Sequence, residues 1–281
     1  MTIEANAKVN FTLEVFGKRA DGYHALRSVV MPISLSDTLD IEVTEDGSIT
    51  SDTGYDDDLC VKAARVLRSQ ISDLRSQIGA AIHVTKRIPA GGGLGGGSAD
   101  AAAVLRTLNE LWKVGLSREE LAEIGAQVGS DVPALVMGCP VIMEGRGEKV
   151  QDLRLKTEDL NLVLVNPGVC SSTKEVYASC EARPLDGENA TAKMVEALET
   201  GDVRKIAAAL MNDLQAPAVK QHPEIADALV SLRTAGVVGA MMSGSGSSVF
   251  GIVPDADTAT RISFELNMHG LQAWPVKAGC L

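Results

Sequence analysis

The sequence has little positive charge and no long apolar run. Its 281 residues include 26 lysines and arginines against 37 acidic residues, so the net charge is −11. Nucleic acids and anionic membranes require a cationic face, which argues against either as the main partner. No stretch approaches the roughly 18 apolar residues of a membrane span, and "MTIEANAKVNF" lacks the basic and apolar regions of a signal peptide. We therefore expect a soluble, cytoplasmic protein, and this charge still allows a local cationic pocket.

Cysteines and aromatic residues are also scarce. The five cysteines form no C-x-x-C pair, and an odd number would leave one over in a disulfide framework, so reduced thiols in a cytoplasm are the simpler interpretation. Only nine residues are aromatic. Tyr23 beside His24 in the glycine turn "ADGYH" therefore stands out, with an ordinary turn histidine as the alternative.

What the sequence has in excess is glycine, concentrated in "PAGGGLGGGSADAAAVLRTLN", where six of the seven residues Gly91 to Gly97 are glycine. The dinucleotide pattern G-x-G-x-x-G is present, but its acidic residue, expected about 20 residues on, would be Glu110 inside a helical run. The Walker A spacing is also present, but Gly97 stands where its phosphate-binding lysine belongs. Neither motif is complete.

The surroundings of this loop are more informative. "AAIHVTKRI" alternates apolar and polar residues as a strand does, and the alanine-rich segment that follows predicts a helix with Ser98 as its N-cap. A strand, a glycine loop and a helix N-terminus together offer free N–H groups to an anion, whereas a flexible Gly/Ser linker rarely joins two such elements. We predict a phosphate loop made of Pro89, Ala90, Gly91, Gly92, Gly93, Leu94, Gly95, Gly96, Gly97, Ser98 and Ala99.

The remaining pattern predicts an α+β protein. The first half contains strands in "AKVNFTLEVFG" and "DTLDIEVTE", a helix near 58–69, and a second helix whose capping box is Ser117 with Glu120. The pattern restarts with the buried strand "NLVLVNPG", so we place a domain boundary near 157, giving domains 1–157 and 158–281. The second half predicts helices at 190–198, 202–215, 223–234 and 255–270, two short strands within 239–253, and a last strand at 271–278.

Three groups of polar residues lie in otherwise structural segments. Lys8 and Asn10 share one side of a strand by the two-residue period, although a solvated strand lysine is the alternative for Lys8. Asp131 precedes Pro133 among small and apolar residues, where an acid can equally cap a helix. The segment "SGSGSS", residues 243–248, forms a second glycine-rich turn, or a simple hairpin turn.

Three of these segments, "AKVNFTLEVFGKRADGYHALRSV", "PAGGGLGGGSADAA" and "MSGSGSSVFG", resemble in matching order the motifs of the GHMP kinases, small-molecule kinases without a Walker loop. The resemblance implies an N-terminal ATP-binding domain like domain 2 of ribosomal protein S5, a C-terminal ferredoxin-like domain, an active-site cleft between them, and ATP with Mg²⁺. "KVNFTL" followed by "DGYH" is most similar to the branch that phosphorylates the C2 hydroxyl of 4-diphosphocytidyl-2-C-methyl-D-erythritol in the non-mevalonate isoprenoid pathway.

The resemblance also implies roles for residues. Asp131 would accept the proton of the hydroxyl, while Lys8 would hold Asp131 and the hydroxyl in register and oppose negative charge in the transition state. Asn10 would orient the hydroxyls of the methylerythritol unit. Tyr23 and His24 would stack on the cytosine and bind its edge.

In the second half, the resemblance assigns Thr173 and Tyr177 to the diphosphocytidyl group, although Tyr177 could also be a core aromatic of a helix. The turn that includes Ser243, Gly244 and Ser245 would bind substrate or ATP phosphates through main-chain N–H groups.

Some positions depart from the family pattern. Asp58 stands where members commonly have an asparagine that contacts the nucleotide, and a carboxylate cannot donate a hydrogen bond. Asp100 would repel a triphosphate unless Mg²⁺ intervenes or its side chain points away. Neutralisation would come from Mg²⁺, the loop N–H groups and Lys86 or Arg87, and the sequence does not locate the metal ligands.

Three alternatives follow from the sequence. A GHMP kinase acting on mevalonate or homoserine would not need Tyr23 and Tyr177 as stacking walls. An RNA-binding module of S5-like fold conflicts with the net charge of −11. A nicotinamide-dependent oxidoreductase conflicts with the misplaced acidic residue. For the assembly, we expect a monomer or a weak homodimer.

Overall fold

A long central strand organises the first half of the chain. The computed structural model describes residues 1–71, 77–155, 160–184 and 189–280. The first half contributes the strands β1 (Thr2–Asn10), β2 (Thr12–Lys18), β3 (His24–Thr44), β4 (Ile49–Ser51), β5 (Gly79–Thr85), β6 (Val141–Gly145) and β7 (Lys149–Asp152). The 21-residue β3 pairs antiparallel with β1, β2, β5 and β6. Because all four contact one strand, residues far apart in sequence reach the same end of the sheet.

The second half continues the same sheet. Its strands are β8 (Leu160–Asn166), β9 (Met211–Asn212), β10 (Gly239–Met242), β11 (Val249–Val253) and β12 (Gln272–Ala278). The neighbours in the order β10-β11-β8-β12 are antiparallel, and β12 joins β3 where Ala278 lies opposite Ile33. A second link is the parallel pairing of β9 with β2. The predicted boundary at 157 falls among residues 156–159, outside the described residues.

Helices cover the sheet in both halves. They are α1 (Leu59–Arg68), α2 (Gly96–Leu111), α3 (Arg118–Gly125), α4 (Val132–Met137), α5 (Thr173–Ala178), α6 (Ala190–Thr200), α7 (Val203–Ala209), α8 (Gln215–Gln221), α9 (Glu224–Thr234) and α10 (Ala256–Met268). The alanines of α2 are buried against β1 and β3, because small side chains let the helix approach the sheet closely. The capping box of Ser117 and Glu120 is confirmed. None of the described helices is both long and apolar enough to cross a membrane.

Two predictions of local structure are wrong. The helix predicted over 202–215 ends at Ala209, because the next residues pair with the open edge of β2 before α8 begins. Ser98 is not an N-cap, since α2 begins two residues earlier at Gly96, after Gly95 in a left-handed conformation with φ 70°. No side chain caps this helix, so its first N–H groups are not consumed by a capping residue.

Candidate active site

A cavity of about 960 Å³ lies between the two halves of the chain. It brings together most of the residues predicted from sequence: Lys8, Asn10, Tyr23, His24, Lys86, Pro89, Ala90, Gly91, Gly92, Gly93, Leu94, Gly95, Gly96, Gly97, Ser98, Asp131, Thr173, Tyr177, Gly244 and Ser245. Its charged lining consists of five cationic side chains and one acid: Lys8, Lys18, Lys86, Arg146, Lys174 and Asp131. Although the protein as a whole is acidic, this cavity is a local cationic pocket, and its charge suits phosphates.

The acid of the cavity faces a buried lysine. Lys8 Nζ lies 3.5 Å from Asp131 Oδ2, and the Lys8 side chain is only 4% exposed whereas that of Asp131 is 32% exposed. Asp131 occupies the N-cap position of α4, but its side chain makes no capping hydrogen bond. The capping alternative for Asp131 is therefore wrong, and so is the solvated alternative for Lys8. The pair is an accessible carboxylate held beside a desolvated ammonium.

Hydrogen bonds fix the direction of Lys8. Its Nζ donates to Asn10 Oδ1 at 2.7 Å and to the main-chain oxygen of Gly93 at 3.1 Å. The Asn10 amide donates to Ser28 Oγ at 2.8 Å, and Ser28 Oγ donates to the main-chain oxygen of Thr12. Because Asn10 and Ser28 are buried, the ammonium has little freedom to leave this end of the cavity.

The two glycine-rich segments are docked against each other. Ser248 N donates to Gly92 O at 3.0 Å, and Ser243 Oγ donates to Gly93 O at 3.0 Å. A Cβ at Gly93 would lie 2.2 Å from Ser243 O, and the φ of Gly93 is +74°. The glycine is therefore required here for contact between the two glycine-rich segments.

A cluster in which Lys86 lies between two buried acids supports the base of the phosphate loop. Lys86 Nζ donates to Asp37 Oδ2 at 2.5 Å and to Asp100 Oδ2 at 2.7 Å. The other Asp37 oxygen accepts from the main-chain nitrogens of Arg87 and Ile88, directly before the loop. Lys86 lines the cavity, but two carboxylates already share its charge. Asp100 points toward Lys86 and does not line the cavity.

This cluster makes stability depend on pH. Burial raises the pKa of Asp100 to about 6, against the opposing hydrogen bond and charge of Lys86. The folded protein then holds the Asp100 proton more tightly than the unfolded chain, so this contribution to stability is full below the unfolded pKa and is lost as pH rises toward 6. We compare the melting temperature of Asp100→Asn with that of the wild type, without ligand. We expect the difference, variant minus wild type, to increase by about 3 °C or more as the pH rises from 4.5 to 7.5.

The matched control is Asp257→Asn, an exposed acid in the first turn of α10. Its melting temperature should match that of the wild type at both pH values. A variant at Asp100 whose difference from the wild type is the same at both pH values would contradict a raised pKa for this carboxyl.

Aromatic rings and an arginine form the other end of the cavity. The His24 and Tyr177 rings stack with centroids 5.6 Å apart, and the Arg146 guanidinium lies 5.5 Å from the centroid of the Tyr23 ring, which is 54% exposed. Burial, and then the charge of Lys18, lowers the pKa of His24. His24 is therefore neutral at pH 7, with one ring nitrogen as donor and one as acceptor.

Three predicted residues do not line the cavity. The Asp58 carboxylate caps α1 by accepting from Cys60 N and Val61 N, and it also accepts from Thr53 Oγ1, so helix capping accounts for it. Ala99 is buried in α2. Ser243 is buried and acts through its bond to the phosphate loop.

The sequence interpretation missed other residues. Arg146 reaches the cavity because β6 pairs with β3, and its only signal was a lone cation in the glycine turn "EGRGE". Asn212 holds the second turn, donating to Met242 O at 2.9 Å and to Gly244 O at 2.8 Å. The sequence predicts a helix through this segment, so no sequence pattern indicates a site residue there.

The family resemblance implies Mg²⁺ as the metal. Within residues 1–71, 77–155, 160–184 and 189–280, no three histidine, cysteine or acidic side chains cluster as a metal site would require. Mg²⁺ in phosphoryl-transfer sites uses one or two carboxylates together with substrate phosphates. Asp131 is the one carboxylate among the lining residues that the structure describes, and Ser98 is one of several hydroxyl-bearing residues there.

Comparison with known proteins agrees with this geometry. Residues 58–139 match the model of the GHMP kinases N terminal domain, and residues 194–270 match that of the GHMP kinases C terminal domain. The chain is 39% identical to a 4-diphosphocytidyl-2-C-methyl-D-erythritol kinase of Symbiobacterium thermophilum, covering 99% of each chain. It is 42% identical to the protein of that name from Pelotomaculum thermopropionicum, covering 94% of this chain and 92% of that one.

Solved structures give the same result. A crystal structure of 4-(cytidine 5'-diphospho)-2C-methyl-D-erythritol kinase superposes with a TM-score of 0.83 at 33% identity, covering 99% of both chains. A mevalonate kinase, at 15% identity and a TM-score of 0.68, shares the fold. The chain has the two-domain α+β fold expected from its motifs, and it belongs to the GHMP kinases.

Proposed function

We propose that this protein transfers the γ-phosphoryl group of ATP to the C2 hydroxyl of 4-diphosphocytidyl-2-C-methyl-D-erythritol, in the non-mevalonate route to isoprenoid precursors. The observation that carries the proposal is a single cavity with a phosphate loop, an acid–lysine pair and an aromatic end. The relatives that carry this activity in their names match nearly the whole chain.

In this mechanism Asp131 accepts the proton of the substrate hydroxyl. The side chain is accessible and lines the cavity, and Lys8 Nζ lies 3.5 Å from its Oδ2. Lys8 also opposes the negative charge that develops on the transferred group. Asn10 holds the Lys8 ammonium in place and presents its amide to the substrate hydroxyls.

The phosphates of ATP bind main-chain N–H groups at the start of α2, whose first turn has no side-chain cap. Asp131 and Ser98 would be the side chains to hold a Mg²⁺ ion bound to the triphosphate, and the ion would supply positive charge to the phosphates. Lys86 stabilises the base of the phosphate loop, where two buried acids share its charge. The enzyme uses ATP as donor and acts in the cytoplasm. It is a monomer or a weak homodimer.

The aromatic end of the cavity suits a pyrimidine better than a small acid. Tyr23, His24 and Tyr177 offer flat faces, neutral His24 offers a donor and an acceptor, and Arg146 offers charge to a diphosphate. Mevalonate and homoserine have no ring to stack. The likeness to mevalonate and homoserine kinases, at 15 and 18% identity, is one of fold.

An ATP-consumption assay that offers diphosphocytidyl-methylerythritol, mevalonate and homoserine in parallel tests the proposal. We expect turnover with the first substrate alone, and product analysis by phosphorus NMR should place the new phosphate on C2. Turnover of mevalonate or homoserine alone would overturn the substrate assignment and leave the kinase chemistry intact.

Tyr23→Ala is expected to raise KM for the cytidyl substrate by about 5- to 100-fold, because one ring–base stack contributes about 1–3 kcal/mol. KM for ATP should stay within twofold. Steady-state kinetics with each substrate varied in turn measures both constants.

Tyr55→Ala is the matched control. Tyr55 is also an exposed tyrosine of the cavity lining, but it precedes α1 near Leu59, whose Cδ1 lies 3.6 Å from a Cβ position at Gly97. It therefore lies at the ATP end, and its loss should leave KM for the cytidyl substrate unchanged. Equal effects of both variants on that constant would move the base site elsewhere.

A further inference from the structure

A second cavity, of about 250 Å³, lies on the far side of α2 and α4. Among the described residues, its lining shares none with the catalytic cavity. It is bounded by the start of β1, by α2 and by the C-terminal end of α4, and its charged lining residues are Glu4, Arg106 and Arg118. Its volume suits a small ion with several oxygens.

The two arginines have donors to spare. Arg106 Nη1 donates to Leu135 O at 2.7 Å, and Arg118 Nη1 donates to Met137 O at 2.8 Å. These bonds cap the carbonyl end of α4, which favours positive charge. They use one donor of each guanidinium, which has five. Capping α4 therefore explains the position of these side chains but not most of their hydrogen-bonding capacity.

The two charges also lack an acidic partner. In the part of the chain that the structure describes, no carboxylate lies within 4.0 Å of either guanidinium, and Glu4 lines the cavity without pairing with them. A Cβ at Gly138 would lie 3.9 Å from the Nη1 atoms of both Arg106 and Arg118, so the two cations flank one point. Two adjacent cations without an anion are unusual in a protein whose net charge is −11.

Burial adds to this imbalance. Burial, and then the charge of Arg118, lowers the pKa of Arg106. An arginine in these surroundings gains more from an anion than an exposed surface arginine does, because the ion pair is less screened by solvent.

We propose that this second cavity binds a phosphate-class oxyanion between Arg106 and Arg118. Planar guanidinium groups bind phosphate oxygens in pairs, and two of them on either side of Gly138 can hold one tetrahedral ion. The proposal goes beyond the proposed function and does not depend on it. The site adjoins the active site through Leu135, whose Cδ1 lies 3.3 Å from a Cβ position at Gly95 in the phosphate loop.

Calorimetric titration of the full chain tests the site. The catalytic cavity is first saturated with Mg²⁺ and a non-hydrolysable ATP analogue, and ionic strength is held constant. Inorganic phosphate, diphosphate and glycerol 3-phosphate are then added separately, which distinguishes free from esterified phosphate. We expect saturable binding of at least one of them by the wild type.

Arg118→Glu supplies an internal carboxylate to Arg106 and should weaken that binding at least tenfold. Arg118 is exposed, so the fold should tolerate the change; if the variant does not fold, Arg118→Gln gives the same test. The matched control is Arg233→Glu, an exposed arginine on α9 with the same change of charge, which should change the affinity less than twofold. Absence of saturable binding, or equal losses in the two arginine variants, would overturn the proposal.

Discussion

Asp131→Asn is expected to lower kcat by about 10² to 10⁴, the range for loss of a general base. Asparagine has nearly the same shape and cannot accept the hydroxyl proton. Asp131 makes no capping bond, so α4 loses no cap with this change. The measurement is kcat at saturating ATP and cytidyl substrate, together with melting temperature to show that the fold persists.

Asp57→Asn is the matched control, since Asp57 is exposed in the loop before α1 and does not line the cavity. Its kcat should equal that of the wild type. Near-normal turnover by Asp131→Asn would refute the role of this carboxylate as the base, whatever the assay of substrates had shown.

Gly93→Ala should reduce kcat/KM by about 10² or more. An added Cβ would lie 2.2 Å from the main-chain oxygen of Ser243 and 3.0 Å from that of Gly246. Neither backbone atom can move freely, so the two glycine-rich segments must separate. Because Gly93 O also accepts from Lys8, the separation displaces the ammonium, and a misplacement of about 1 Å can reduce the rate 10²-fold.

Gly17→Ala controls for the loss of a glycine. A Cβ at Gly17, in β2, would have nothing within 4 Å. It should leave both kcat/KM and melting temperature close to those of the wild type. If Gly93→Ala retained full activity, the contact between the loops would not be needed for catalysis.

Local patterns predicted the parts of the site that lie on regular elements. The two-residue period placed Lys8 and Asn10 together, and the strand–loop–helix order identified the phosphate loop. Asp131 was predicted through family resemblance, and only the structure showed that its side chain does not cap α4.

What the sequence could not show depends on long-range pairing. Lys86 was predicted to neutralise phosphate, because nothing local indicates that Asp37, 49 residues earlier, would bind its ammonium. Arg146 and Asn212 reach the site through strand pairing with β3 and β2. The start of α2 was misplaced because no side chain caps this helix, so no capping residue marks where it begins.

The shared sheet has a further consequence for ligand discovery. The halves of the chain are joined by backbone pairing at β12 with β3 and at β9 with β2, so a wide hinge motion would break main-chain hydrogen bonds at both joints. Access to the cavity then depends on side chains and loops at its rim, such as the exposed Tyr23 and Tyr55. This pairing opposes a wide hinge motion, so inhibitors can first be docked against the backbone as it stands, with the rim side chains allowed to move.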